Sequence, residues 1–188
     1  MQENFRQFLD RLRQSGELID LHQPVDIRHI ATLVDQAQTA LYFHNVIGYK
    51  MPVVSGIIRS RERATAALGC ETFAEIEQKL AAAIAKPIPP QYVKTSPTRE
   101  VTLVGDDVDL YKLPIPMSSI YDGGPMITAG VVITRDLELG FNSGIYRFIV
   151  KEKALTGIDI VTPNNMRLFA QRALARNEPL PISISIGT

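Results

Sequence analysis

The chain has 188 residues, 45% of them apolar, with no net formal charge at pH 7 and a single cysteine. That is enough apolar material for one large domain or two small ones, and it excludes a globally disordered chain. The balanced charge, with no run of consecutive basic residues longer than two, argues against a nucleic-acid surface, and Cys70 alone forms no internal disulfide.

The N-terminal stretch MQENFRQFLDRLRQ is amphipathic and charged, without the apolar core of a signal peptide, and no apolar run approaches the roughly 18 residues of a membrane span. A cytoplasmic protein with no membrane span is therefore expected. Phe5, Phe8, Leu9 and Leu12 recur at helical spacing, with Gly16 as the stop. Glu17–Leu21 reads as extended. Asp26 is expected to cap a second helix with Ile27, Ile30, Leu33, Val34, Ala37 and Leu41 on one stripe. Tyr42–Val46 and Pro52–Ile58 read as strands around a turn at Gly48–Lys50. A short helix is expected over Ser60–Leu68, and Thr72 with Glu75 reads as a capping box for a helix with Phe73, Ile76, Leu80 and Ile84 inward. Arg59, Arg61 and Arg63 read as a solvated face with salt bridges.

Four prolines between Pro87 and Pro97 place a domain boundary near residues 86–100, giving domains 1–98 and 99–188. Beyond it, Glu100–Val104, Met126–Thr134 and Phe141–Lys151 read as strands, and Thr162-Pro163 as an N-cap followed by proline. The helix after it carries Met166, Phe169, Ala170, Ala173 and Leu174 on one side, and Ile182, Ile184 and Ile186 alternate with serines as a half-buried strand. The pattern implies a small α/β domain followed by a strand-rich one. Because the sequence stops directly after that strand, it reads as a fragment or a split subunit.

Chemistry concentrates in Tyr121–Arg147, YDGGPMITAGVVITRDLELGFNSGIYR. Arg147 suits bidentate binding of a phosphate or carboxylate, and the amide oxygen of Asn142 suits a hard cation. On a regular strand residues 143, 145 and 147 share one face, so convergence of Asn142 and Arg147 needs a bulge or turn at Gly144. From spacing alone, a surface arginine beside a turn asparagine is the better account. Tyr121-Asp122-Gly123-Gly124-Pro125 taken alone is a turn, and no phosphate-loop pattern occurs. His22, His29 and His44 lack partners at metal-ligand spacing and read as structural, as does Cys70.

Taken in order, these segments resemble the UbiD-type decarboxylases, which use prenylated FMN. The resemblance covers the whole chain. It rests on FRQFLDRLRQSGELIDLHQPVD, on His44–Tyr49 followed by Pro52-Val53 and Ser60–Arg63, and on Tyr121–Pro125, Thr128–Gly130 and Asn142–Arg147. It implies an α/β (α+β) protein: a small N-terminal α/β domain, then a truncated split β-barrel, flavin-reductase-like and FMN-binding. It further implies that Asn142 binds a divalent metal, typically manganese (Mn2+), that also holds the cofactor phosphate. Arg147 would face the flavin and the substrate carboxylate, the backbone of Ser143, Gly144 and Ile145 would approach the cofactor, and the Ser143 carbonyl would help to bind potassium (K+).

The family's histidine ligand is replaced here. Its position falls on Asn165, beside Asn164, so Asn165 is expected as a metal ligand and Asn164 beside the cofactor. The third ligand, a glutamate, and the proton-handling acids are expected beyond Thr188. The activity implied is a reversible carboxy-lyase acting on an aromatic or α,β-unsaturated carboxylic acid through a covalent adduct with prenylated FMN. The expected partners are that small acid, a flavin prenyltransferase as cofactor supplier, and further copies or a complementary chain. The alternative is a non-catalytic split subunit or truncated flavin- or partner-binding module.

Overall fold

The computed structural model describes residues 3–187, and the chain divides into two units, Met1–Val108 and Asp109–Thr188. Thr188, where the sequence reading places the break in the chain, lies outside the described residues.

In the first unit, helix α1 (Phe5–Gln14) starts because Asn4 and Gln7 satisfy each other's backbone N–H groups in a capping box, and it buries Phe8, Leu9 and Leu12 on one face. It ends where Gly16 adopts a φ of +74°, a conformation that costs glycine nothing. Strand β1 (Leu18–Leu21) lies parallel to β2 (Ala40–Phe43), and β3 (Val53–Ser55) closes the sheet antiparallel in the order β1-β2-β3. The parallel crossover is made by a 3-10 turn at Ile27–His29, capped by Asp26, and helix α2 (Ile30–Gln36). The helix stops at Gln36, so Leu41 belongs to β2 and not to the helical stripe. Phe43 is fully buried among Ile30, Val34, Leu41 and Val46.

Helix α3 (Arg61–Ala67) is capped by Ser60, and α4 (Phe73–Ala85) follows. The expected capping box at Thr72 is rearranged. Thr72 Oγ1 donates to Glu75, which also accepts from the Glu71 N–H, and Thr72 caps no helical N–H. Of the four residues expected inward only Ile76 is buried, whereas Phe73, Leu80 and Ile84 are exposed. Within this unit α4 packs on α3, and one row of side chains suffices for that contact. Of the arginine cluster, Arg59 and Arg61 are exposed as expected and Arg63 is not. Arg63 is buried, donates to Glu17 at 2.6 Å and to the Gln38 carbonyl at 3.1 Å, and leaves its Nε without a partner among the described residues. Arg59 pairs with Asp35. His44 follows β2 and bonds Asp20 at 2.7 Å, and its ring stacks on His22.

Residues 86–108 contain 3-10 turns at Pro97–Arg99 and Gly105–Asp107 and no strand. Glu100–Val104 alternates apolar residues but has no neighbouring strand, and an extended segment without a hydrogen-bonding partner is not a strand. Val101 and Val104 stay exposed.

The second unit holds two three-stranded sheets. One runs β4 (Met126–Ile127), β7 (Phe148–Glu152), β8 (Leu155–Ile158); the other runs β6 (Gly140–Ile145), β5 (Val131–Asp136), β9 (Ile182–Ser185). The two long strands expected over Met126–Thr134 and Phe141–Lys151 are each divided between sheets. The first divides at Gly130, where a Cβ would come within 2.8 Å of Ile184, and the second at Tyr146–Arg147. Helix α5 (Asn165–Ala175) begins two residues later than expected. Asn164, not Thr162, is the cap, accepting from the Arg167 N–H at 2.9 Å. Met166, Phe169 and Ala173 are buried, whereas Leu174 is exposed. Ile115, Ile127, Val132, Phe148, Val150 and Met166 form the core of this unit. The whole is a mixed α/β architecture of small sheets. No helix among the described residues is long and apolar enough to cross a membrane.

Candidate functional site

Strand β6 carries four of the expected site residues, and its regular register decides where each points. Gly144 pairs with Val132, Ser143 with Ile133 and Asn142 with Thr134, without a bulge. Alternation therefore sends Asn142 and Gly144 to the buried face with Val132 and Thr134, and Ser143 and Ile145 to the exposed face with Val131 and Ile133. That outer face, with Phe141 and Ile145 both exposed, is an apolar strip interrupted by serine hydroxyls, the surface a flat aromatic ring system covers well.

On the inner face Asn142 is 9% exposed. Its Nδ2 donates to the Tyr146 hydroxyl at 3.4 Å, and its amide oxygen accepts no hydrogen bond from the described residues. That oxygen is not among the sealed, unsatisfied atoms of the described residues, so it is open to water, and a hard cation or a ligand N–H could take the same place. The Tyr146 ring reaches Asn142 because Gly144 has no side chain: a Cβ there would lie 2.9 Å from the ring.

Arg147 lies in the break between β6 and β7. Its guanidinium is exposed and pairs through Nη2 with Asp159. Asn142 is thus buried within β6 and Arg147 exposed in the break that follows, and β6 has no bulge at Gly144. Asp159 is a neighbour that spacing did not single out. The signal was present in the hairpin register: Phe148 pairs with Ile158, so Arg147 and Asp159 occupy the next rung.

Asn164 and Asn165 sit at the start of α5. Asn164 spends its amide oxygen on the cap and donates to the Thr162 carbonyl at 3.0 Å, while Asn165 is exposed in the first turn. The positive end of a helix favours an anion such as a phosphate over a cation. Among the described residues no three His, Cys, Asp or Glu side chains come together as a metal-holding group, so a cation at Asn142 would draw on amide or ligand oxygens. The Tyr121–Pro125 loop is held by Asp122 accepting from the Ser119 N–H at 2.9 Å, with Gly124 at a φ of +147°.

A second acid–arginine group lies at the far end of β5. Asp136 is fully buried and accepts from the Glu138 and Leu139 N–H groups and from Arg172 Nε at 3.1 Å. Burial pushes its pKa up, but the two backbone donors and the Arg172 guanidinium outweigh that and hold it at about 2. Arg172 also reaches Glu138 at 2.6 Å. The group ties the β5–β6 turn to α5.

Two family models match the sequence: the 3-octaprenyl-4-hydroxybenzoate carboxy-lyase N-terminal domain over residues 9–83 and the Rift-related domain of the same carboxy-lyase over residues 91–188. Among curated proteins, the anhydromevalonate phosphate decarboxylase of Methanosarcina mazei is 33% identical over 184 residues, which are 97% of this chain and 42% of that protein. Among solved structures, an evolved dimeric form of the UbiD-class enzyme HmfF from Pelotomaculum thermopropionicum, in complex with prFMN, superposes with a TM-score of 0.93 at 34% identity, covering 100% of this chain and 45% of HmfF. The vanillic acid decarboxylase of Sedimentibacter hydroxybenzoicus in its closed form gives 0.90 at 30% identity, covering 100% and 43%. The chain thus spans about two-fifths of the length of the relatives it matches. With both domain models matched in order along almost its whole length, the chain belongs to the UbiD family.

Proposed function

We propose that this chain is the N-terminal and flavin-facing portion of a reversible carboxy-lyase that acts on an aromatic or α,β-unsaturated carboxylic acid with prenylated FMN. The observation that carries the reading is the placing of two polar groups at the end of one strand: a largely buried Asn142 whose amide oxygen accepts from no protein donor among the described residues, and an exposed guanidinium five residues later at Arg147. The names of the relatives, which are decarboxylases, support an enzyme over a non-catalytic module. When bound, prenylated FMN supplies the electron sink that decarboxylation requires.

In this reading Asn142 contributes an amide oxygen to a divalent cation such as Mn2+, and Asn165 offers a second amide. The start of α5 at Asn164 presents N–H groups to the cofactor phosphate. The outer face at Ser143 and Ile145, with the backbone of Gly144 between them, lies against the flavin, and the Ser143 carbonyl is a K+ ligand. Arg147 orients the substrate carboxylate, which a guanidinium holds by two parallel hydrogen bonds. The two small sheets are the beginning of a split, flavin-reductase-like barrel, and the functional domains divide at 1–98 and 99–188. The third metal ligand and the proton donor come from outside this chain, the enzyme works in the cytoplasm as an oligomer or with a complementary chain, and a flavin prenyltransferase supplies the cofactor.

The test is co-expression of the full-length protein with a flavin prenyltransferase, followed by CO2 release from a panel of aromatic and α,β-unsaturated acids. Arg147→Ala is expected to abolish turnover, and a near-normal rate would remove Arg147 from the site. Asn142→Ala is expected to lower the retained manganese and flavin, and unchanged metal content would sink that role.

A further inference from the structure

Arg147 precedes β7 and Asp159 follows β8, facing each other at the open end of the hairpin. Phe148 pairs with Ile158 in the antiparallel register, and the next rung is formed by the Asp159 N–H donating to the Arg147 carbonyl at 3.1 Å. On that rung the Arg147 Nη2 donates to Asp159 Oδ2, while Asp159 Oδ1 accepts from the Val161 N–H at 3.5 Å. Both side chains are exposed, 64% and 41%, and no other side-chain hydrogen bond involves Arg147 among the described residues. One guanidinium nitrogen is therefore pinned, and Nε and Nη1 remain open toward solvent.

An exposed ion pair contributes little to holding a fold together, and the backbone rung would survive without it. What the pair does hold is the orientation of a long, flexible side chain that would otherwise sample many rotamers. We infer that Asp159 is the positioning residue for Arg147: its carboxylate fixes one edge of the guanidinium so that the free edge meets the carboxylate of an incoming acid. This inference rests on the proposed role of Arg147 as the group that faces the substrate carboxylate.

The arrangement has two opposed consequences. Asp159 pre-orients the arginine, which raises the rate at which bound acid reacts. It also places a negative charge beside the one the acid brings, which weakens binding. Neutralising it moves kcat and KM downward together, a signature that a merely structural residue does not produce.

In the full-length, cofactor-loaded protein, Asp159→Asn keeps the shape and the backbone rung. It is expected to lower kcat by about tenfold or more and KM by about twofold to fivefold, with Asp159→Glu restoring most of the rate. A readout that needs no turnover is the reaction of Arg147 with phenylglyoxal, followed by peptide mass spectrometry. Modification of Arg147 is expected to run several-fold faster in Asp159→Asn, with the other arginines unchanged. Equal modification rates, or unchanged kcat and KM, overturn the inference. Arg147→Gln in the same protein separates the two readings. Unchanged turnover in Arg147→Gln overturns both the proposed role of Arg147 and its positioning by Asp159. Lost turnover in Arg147→Gln, with Asp159→Asn behaving as the unaltered protein, overturns the positioning alone.

Discussion

The second unit contains two acid–arginine groups, one at the β5–β6 turn and one on the β7–β8 hairpin, and burial gives them opposite work. Asp136 is fully enclosed, takes two backbone N–H groups and Arg172, and leaves no edge of its carboxylate for a ligand. Asp159 and Arg147 meet in solvent, and the arginine keeps two nitrogens free. A charge that is saturated inside the protein fixes a turn. The same pair of residue types left open to water fixes only a side chain, and that side chain remains available for chemistry.

The contrast can be broken most sharply at Asp136. Asp136→Ala leaves two turn N–H groups and Arg172 without their acceptor, and it is expected to lower the Tm of the protein by more than about 5 °C. A shift smaller than that produced by Asp159→Ala would reverse the assignment of roles. The next effect is on acid stability. Because the folded-state pKa of Asp136 lies below its ordinary value of 3.8, its contribution is present above that value and is lost as pH falls through about 2. Acid unfolding followed by circular dichroism should therefore show a loss of stability between about pH 4 and about pH 2 that is reduced in Asp136→Asn. The smallest effect is expected at the open pair: Asp159→Asn should change Tm by less than about 2 °C, in low and high salt alike. A larger drop would make Asp159 a structural residue after all.

How much of this could be read from the chain depends on sequence separation. Helix α1 was legible because its apolar face and its glycine stop at Gly16 are both local. Asn142 and Arg147 stood out because an amide and a guanidinium five residues apart fit no core pattern. The break at Tyr146–Arg147 did not show, since a period-two alternation continues across it as though the strand were unbroken. Asp159 became visible only through the register of β7 with β8, and the Asp136–Arg172 contact joins residues 36 apart in sequence. Pairings of that kind are set by the packing of α5 on β5, which no local window contains. The row of Phe73, Leu80 and Ile84 shows the converse error. Helical spacing identified a stripe, but a stripe says nothing about whether anything lies against it.

Gly144 links three positions into one. Its missing side chain is the notch in which the Tyr146 ring sits, and that ring brings its hydroxyl to the Asn142 amide. A methyl group at 144 would evict the ring and take the hydroxyl with it, leaving the amide free to turn its oxygen elsewhere. A mutational scan that changes one residue at a time would score Gly144 as a backbone position and Tyr146 as a packing position. Each would in fact be reporting on how the amide of Asn142 is aimed.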